Sequence, residues 1–398
     1  MDKETKKTIW KVVANICRFL LAAVFIFSGF IKANDPDGMV QKLHEYVVAS
    51  GVGHIPFLTL VIIAIILAIL EFSIGVHLLF GMSQVIISKV TVVFMSVMTL
   101  LTAYIWVFNP VPDCGCFGDV IILSNGMTFA KNILLLAAAV VNYKFNNLYI
   151  KLVGHNTRWL ITLFCMVYIF LYSIVCFYTL PWMDFSPYKM GTDLRSSESR
   201  KATAGFYVAD MESGEDLTDE IINRDGYTFL LTIPNLQYAD EGCVDLVNGI
   251  YEYSQNHGYG FYCLTSSIDQ ETQDYWTDHT GAEYKYYESD ESELRTVIRA
   301  APGLLLLKDG VIIRKWSNYM LPSEERLSDR LENLPIGEEH DIEGRKLLDL
   351  LTFFILPLAL IILIDRIGSG FSWYRHWRKK SRKLQLENIS EQINNQIK

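Results

Sequence analysis

Cys114 and Cys116 stand one residue apart in the stretch Asp113-Cys114-Gly115-Cys116-Phe117-Gly118-Asp119. Two thiols at that spacing suit thiol–disulfide exchange, in which a thiolate attacks a disulfide sulfur and two electrons move. The spacing sets a condition. Two residues of extended chain span about 7 Å, at or beyond the usual Cα–Cα limit for a bridge. Gly115 can adopt the positive-φ conformation that shortens the span. A bridge across so small a ring is expected to be strained, and strained, exposed disulfides are the oxidising and labile ones. Asp113 and Asp119 flank the pair. Their charge disfavours a thiolate unless a cation such as Lys32 lies close. With Cys114 as the attacking thiol, Cys114→Ser is expected to abolish activity.

The elements that must position this loop are apolar. The chain has 398 residues, 51% of them hydrophobic, yet a formal net charge of −9. That mixture is expected of a membrane protein with a separate acidic soluble part. Runs long enough to cross a bilayer as helices occupy residues 12–31, 57–80, 89–108, 127–143, 159–181 and 347–364. Six spans put both termini on one side. Lys3, Lys6, Lys7 and Lys11, then Lys144, Lys151 and Arg158, then the basic tail from Arg366 to Lys383 all fall on that side. The positive-inside rule makes it cytoplasmic. The cysteine loop and residues 182–346 then lie outside. The first run has no small-x-small cleavage pattern after it and reads as a retained anchor. Residues 38–50 read as an amphipathic helix on the outer surface, with Met39, Leu43, Tyr46 and Val47 on one face.

Glu71 and His77 sit inside the second run. An ionisable group in hydrocarbon is costly and marks a functional candidate. For Glu71 a structural role is equally open, protonated or bonded to a neighbour such as Asn132. His77 reads as a helix-packing hydrogen-bond donor or acceptor.

The motifs Ser28-Gly29-Phe30-Ile31-Lys32 and Leu70-Glu71-Phe72-Ser73-Ile74-Gly75 resemble those of DoxX-like membrane proteins. The cysteine loop, followed by Lys131-Asn132 and an apolar run, resembles the related MauE branch. The resemblance covers roughly residues 12 to 145. It implies a four-helix membrane bundle in a bacterial inner membrane and a part in disulfide maturation of an extracytoplasmic protein. It also implies quinone as a possible electron acceptor, with Lys32, Glu71 and Asn132 as the intramembrane polar candidates.

Most of the acidic residues lie between Pro181 and Lys346. Residues 191–204, rich in Ser, Thr and charge, read as a flexible linker. Beyond it, residues 228–233 and 260–265 read as strands and 242–256, 269–277 and 291–299 as helices. Residues 303–307 and 311–316 form a hairpin across Asp309-Gly310, and 322–334 closes as a helix. This order resembles a thioredoxin fold, with Pro302 at the position of that fold's cis-proline. The expected architecture is therefore an all-α transmembrane four-helix bundle plus an α/β thioredoxin-like soluble domain held between two further transmembrane helices. Its parts are residues 1–150, a fifth span within 151–181, a linker over 182–204, the soluble domain over 205–346, a sixth span over 347–366 and a tail over 367–398.

A redox thioredoxin carries Cys-x-x-Cys where its first strand meets its helix, because the helix N-terminus stabilises a thiolate. Here the stretch reads Asp240-Glu241-Gly242-Cys243. Asp240 takes the attacking position and cannot attack a disulfide, which leaves Cys243 a mixed disulfide with another thiol. Cys263 reads as a core residue, with a Cys243–Cys263 bridge as the alternative. Cys17 and Cys165 read as apolar fillers, and Cys176 as a filler or a relay near the outer membrane face.

The leading reading is a cell-envelope thiol–disulfide protein acting on an extracytoplasmic protein. Other classes stay open. One is a scaffold or peptide binder with a structural Cys114–Cys116 turn. Another is a metal site built from Cys114, Cys116, an aspartate and His44 or His54, although no ligand spacing completes it and no metal is expected. A third is a transporter using Glu71 and His77. No phosphate-cradling loop, nucleophile elbow or basic nucleic-acid surface is present in the sequence, and the basic tail reads as lipid-facing.

Overall fold

The computed structural model describes the chain except residues 1, 2, 52, 54, 112, 122, 155, 156, 204, 339–342 and 398. Side chains are also left undescribed at residues 3, 119, 343–345, 369–373, 375, 376, 380 and 382–397. His54 and the Asp119 side chain therefore lie outside the described residues.

Helices α1 (Lys3–Asn34), α2 (Pro36–Ser50), α3 (Phe57–Phe80), α4 (Gln84–Phe108), α5 (Asn125–Lys144) and α6 (Arg158–Tyr178) come first. The soluble part then runs α7 (Ser197–Ala202), β1 (Ala209–Asp210), α8 (Thr218–Asn223), β2 (Tyr227–Thr232), α9 (Val244–His257), β3 (Gly260–Thr265) and α10 (Gln270–Thr280). It continues through β4 (Tyr286–Glu288), α11 (Glu291–Val297), β5 (Gly303–Lys308) and β6 (Val311–Ser317), and α12 (Glu343–Ile397) ends the chain. Among the described residues, six helices are long and apolar enough to cross a membrane: α1, α3, α4, α5, α6 and the Lys346–Gly368 portion of α12. The last run therefore continues as helix well past residue 364.

Helices α1 and α3 make the closest pairing in the membrane part, and the reason is two glycines. A Cβ on Gly29 would lie 2.4 Å from the Phe72 backbone nitrogen, and one on Gly75 would lie 2.6 Å from that of Ile26. Small residues let helix backbones approach where no hydrophobic force draws helices together. Helix α2 starts with Asp35 as its cap, accepting from the Gly38 N–H at 2.9 Å, and it ends at Gly51 in the left-handed conformation.

In the soluble part six strands are ordered β1-β4-β3-β2-β5-β6. Central β2 pairs parallel with β3 and antiparallel with β5, and β5 and β6 form an antiparallel hairpin. Asp309 and Gly310 both have positive φ, as a tight hairpin turn requires. The run Leu304–Leu307 is apolar throughout because the sheet is covered on both faces. Leu304 and Leu306 pack beside α9, in a core with Val247 and Ile250, while Leu305 and Leu307 pack with Leu294 and Val297 of α11. This is a thioredoxin-like sheet, with β1 and β4 as short strands that the sequence reading did not foresee.

Two expectations fail here. Residues 322–334 form no single helix but separate 3₁₀ turns at Glu324–Leu327 and Leu331–Asn333, with a third at Pro335–Gly337. The cause is competition: the Leu331 N–H donates to Tyr259 Oη, and Tyr253 Oη donates to the Asp329 carbonyl, so core side chains take backbone groups a helix needs. Nor does the stretch from Gly191 hang free. Gly191 N–H donates to the Ile312 carbonyl, Ile312 N–H to the Thr192 carbonyl and Leu194 N–H to the Gly310 carbonyl. Those bonds cover the β6 edge and bury Leu194.

The soluble part is seated on the end of the helices that carries α2 and the cysteine loop. Arg299 pairs with Asp35 at 3.1 Å, Asn34 exchanges hydrogen bonds with the Met183 backbone, and Ser317 Oγ donates to the Tyr178 carbonyl at 3.4 Å.

Candidate functional site: a cysteine loop over a buried ion pair

The α1–α3 approach brings Lys32 to Glu71. The Lys32 ammonium lies 2.8 Å from Glu71 Oε2 with both side chains buried, and it also donates to Ser28 Oγ at 2.8 Å. Its third hydrogen bond goes to the Cys116 carbonyl at 3.0 Å, and Ser28 Oγ donates to the same oxygen at 2.9 Å. A buried charge needs a partner and filled hydrogen bonds, and here the loop backbone supplies the last of them. Asn132 is not the partner of Glu71; it donates instead to Thr102 Oγ1 at 3.1 Å, which corrects that expectation. His77 bridges helices, with Nδ1 at the Ser73 carbonyl and Nε2 at Thr162 Oγ1.

From the other side α2 grips the loop. Lys42 pairs with Asp113 at 3.0 Å, Tyr46 Oη donates to the Cys114 carbonyl at 2.8 Å, and Asp113 Oδ1 accepts from the Gly115 N–H. Gly115 has φ of 63°, and the turn brings the two sulfurs to 2.8 Å with both cysteines free. The flanking aspartate therefore does not bear on the thiols unopposed, because Lys42 neutralises it.

The pair is electrostatically unequal. The Cys116 thiol is pushed down to about 7, first by its hydrogen bond with Cys114, in which either sulfur can donate. Burial opposes this, and the charges of Lys131 and Lys32 reinforce it. The Cys114 thiol is pushed far up, by that same hydrogen bond and by burial. Burial and the neighbouring Cys114 also push Tyr46 up, which keeps its phenol a donor. The neighbouring lysines favour a thiolate at Cys116 over Cys114.

Behind Cys116 a crevice opens among the helices, lined by Phe25, Phe94, Met98, Lys32, Lys131 and Cys116. Lys131 stands 3.9 Å over the Phe117 ring. Among the described residues, no group of three His, Cys, Asp or Glu side chains converges as a metal site would.

At the thioredoxin-like position the chemistry is missing. The Ala301–Pro302 bond is cis, and the Asp240 N–H donates to the Ala301 carbonyl at 3.1 Å. The Asp240 carboxylate is occupied, accepting from the Gly242 N–H at 3.0 Å and from Asn318 Nδ2 at 2.6 Å. Cys243 is buried, and burial, then Asp240, pushes its thiol up to about 11. Cys263 is fully buried and unbridged, so the Cys243–Cys263 alternative is not formed. Cys176 packs among Ile169, Tyr172 and Phe72, in a different cluster from the loop cysteines.

Residues 10–144 match the family model described as Methylamine utilisation protein MauE. This MauE-like region holds Lys32, Glu71, Asn132, Lys131 and both loop cysteines. With its apolar helices it makes the chain an integral multi-pass membrane protein. No curated protein matches the chain. Among solved structures, an uncharacterized conserved protein from Geobacillus kaustophilus is 15% identical, with 38% of this chain and 85% of that one covered and a TM-score of 0.27. The thioredoxin domain of a thiol-disulfide oxidoreductase from Bacteroides vulgatus is 12% identical, covering 28% and 81% at a TM-score of 0.22. A putative protein disulfide isomerase from Bacteroides thetaiotaomicron is 14% identical, covering 31% and 79% at 0.25.

Within the MauE-like region, sequence reasoning missed three contributors to the site: Lys42, Tyr46 and Lys131. Helical spacing places Tyr46 on the same face as Met39, Leu43 and Val47. Those three pack with Leu60 and Ile65, whereas Tyr46 turns to Cys114. The available signal was Lys131-Asn132 after the loop, a lysine near the start of an apolar helix.

Proposed function

We propose that the chain is a thiol–disulfide oxidoreductase of a bacterial cytoplasmic membrane, exchanging disulfides with an extracytoplasmic protein through Cys114 and Cys116. In this reading α1, α3, α4 and α5 are the membrane bundle, α6 and the first half of α12 are two further spans, and both termini are cytoplasmic. The soluble domain, residues 182–346, is then extracytoplasmic. The observation that carries the reading is the facing thiol pair, with Cys116 pulled to about 7 beside two lysines.

The exchange balances without a cofactor. The Cys116 thiolate attacks a partner disulfide; a Cys116–partner S–S bond forms, the partner's S–S bond breaks, and the released partner thiolate takes a proton. Cys114 then gives up its proton and attacks the Cys116 sulfur, forming the loop disulfide and expelling the second partner thiolate, which is protonated. Two electrons pass from loop to partner, with one proton from Cys114 and one from solvent, and the reverse sequence oxidises a partner dithiol. Tyr46, by holding the Cys114 carbonyl, and Lys32, by holding that of Cys116, keep the sulfurs in line through either direction.

The soluble domain acts here by binding and tethering, because Asp240 stands where a nucleophile is needed and Cys243 is protonated at neutral pH. Quinone is the acceptor that the resemblance implies. The crevice behind Cys116 suits it in chemistry, with apolar and aromatic walls and two lysines that would hold its oxygens; a bound quinone would accept two electrons. The space is too small as it stands: about 40 Å³, against about 150 Å³ for a cavity that takes benzene.

The test is exchange between the protein in lipid nanodiscs and a disulfide-bonded peptide. Cys116→Ser should lower the rate at least a hundredfold, and Cys114→Ser should trap a mixed disulfide on Cys116. Exchange that survives in Cys116→Ser contradicts the proposal.

A further inference from the structure

The contacts along β6 say which end of the sheet faces the bilayer. Ser317, the last residue of β6, donates to the carbonyl of Tyr178, the last residue of the apolar helix α6. Lys315 pairs with Asp184 at 2.6 Å and donates to the Tyr188 carbonyl. Gly191 N–H then reaches the Ile312 carbonyl, and Leu194 N–H the Gly310 carbonyl. The chain leaving α6 thus climbs β6 from its end to its start, about 20 Å over seven residues. Register carries that lower end across the sheet, with Ser317 opposite Gly303, Gly303 opposite Thr232 and Thr232 opposite Leu264. The loops at 233–243, 266–269 and 318–323 therefore leave the sheet at the membrane end, and those at 224–226, 258–259 and 309–310 at the far end.

The two ends expose different chemistry. At the membrane end Tyr319 is 60% exposed, Met320 52%, Tyr238 80% and Ile268 65%. Among the described residues, the three far-end loops carry no exposed large apolar side chain and present Arg224, Asp225 and Asp309 instead. Exposed apolar surface of this kind marks a site of interaction. The segment Asn318-Tyr319-Met320-Leu321-Pro322-Ser323 contains no charged residue. It is also held firmly from behind. Asn318 Nδ2 donates to Asp240 at 2.6 Å, Met320 N–H to the Ser317 carbonyl at 2.9 Å, and Leu321 is buried in the core of the sheet. The Tyr319 ring meets the Tyr178 ring edge-on, with centroids 5.4 Å apart. Tyr319 therefore stands at the level where α6 ends. A tyrosine, with an apolar body and a polar tip, suits the boundary between headgroups and acyl chains.

We propose that Tyr319 and Met320 enter the interfacial layer of the bilayer beside the end of α6, so that lipid as well as protein holds the soluble domain in place. Lipid is the occupant because the exposed pair is continuous with Tyr178, where a membrane span ends. The contact is apolar: residues 318–323 offer no cation to a phosphate, so uncharged lipid suffices. The inference rests on α6 crossing the bilayer and is independent of the exchange chemistry at Cys114 and Cys116.

The experiment uses the full chain in phosphatidylcholine liposomes, with the photoreactive residue p-benzoylphenylalanine replacing one residue at a time and adducts read by mass spectrometry. Tyr319 and Met320 are the test positions, two of them in case a probe disturbs the loop. Leu171, exposed within α6, is the lipid-facing reference, and Asp225 at the far end is the aqueous one. The lipid adduct at Tyr319 and at Met320 should exceed that at Asp225 at least fivefold, come within threefold of that at Leu171, and change less than twofold in 1 M NaCl. Yields at both test positions no higher than at Asp225, with Leu171 labelled, overturn the proposal. Adducts to a second copy of the chain in place of lipid overturn it as well, and loss of the lipid adduct in salt contradicts an apolar contact. An unlabelled Leu171 marks a different failure, that of α6 as a membrane span, and the proposal falls with it.

Discussion

Lys32 donates to the carbonyl oxygen of Cys116 across 3.0 Å while paired with Glu71. One ammonium thus ties α1, α3 and the cysteine loop together from within the apolar part of the protein. The motif residues Ser28, Gly29, Lys32, Glu71 and Gly75 become one device: glycines permit the approach, and the ion pair with its serine seats the loop.

Breaking that pair should be expensive. Lys32→Met leaves Glu71 buried without a partner, and loss of one member of a buried pair costs about 3–5 kcal/mol. Thermal unfolding in nanodiscs should show a large drop for Lys32→Met. The double variant Lys32→Met/Glu71→Gln should recover part of it, because no uncompensated charge remains.

Closing the helix contact is a separate route to the same loss. Gly29→Ala and Gly75→Ala each add a methyl against backbone of the facing helix. Overpacking of this kind costs about 1–3 kcal/mol. Both variants should lower the melting temperature and increase alkylation of Cys114, whereas Gly53→Ala, where an added Cβ meets nothing, should leave both unchanged.

Reactivity of the loop should follow Cys116. Its thiolate forms as pH rises through about 7, so alkylation by a small maleimide should reach half its maximal rate near that pH. Lys131→Ala removes a cation that favours the thiolate, so the midpoint should move up and the rate at pH 7 should fall. Cys243, pushed to about 11, should stay unmodified over the same range.

Folding stability should fall as pH rises through the titration of Asp37. Burial, then the neighbouring Asp35, pushes Asp37 up to about 6 from its ordinary 3.8, against the pull of Arg299 and Arg295. A raised acid binds its proton more tightly in the folded state. Its contribution is therefore full below about 3.8 and is lost as pH climbs through about 6. The melting temperature in nanodiscs should fall as pH rises from about 4 to about 6, and Asp37→Asn should flatten that change.

How much of this was legible depends on the range of the interaction. The thiol pair and its glycine turn are local, and the sequence reads them directly. So does the soluble domain's order of strands and helices, because β2 and β5 are apolar runs with a hairpin signal after the second. The Lys32–Glu71 pair was not legible, since its members sit on separate helices and meet only through Gly29 and Gly75. Tyr46 misled because helical spacing says which face a residue shares, not what another loop brings to it. Residues 322–334 carry a helical pattern that Tyr253 and Tyr259 override by taking its backbone groups. The inequality of the two cysteines needs Lys131 and Lys32 at their folded positions.

The most direct measurement is the redox state of Cys114 and Cys116 in intact cells, trapped with a mass-tagged alkylating reagent before and after a brief reductant pulse. A working couple predicts a mixed population that returns to its starting ratio after the pulse, with Cys116→Ser abolishing both the mixed state and exchange with partner proteins. A pair that is fully oxidised, resists mild reductant and leaves partner thiols unaffected when mutated would contradict the account, and would make the Cys114–Cys116 turn a structural one.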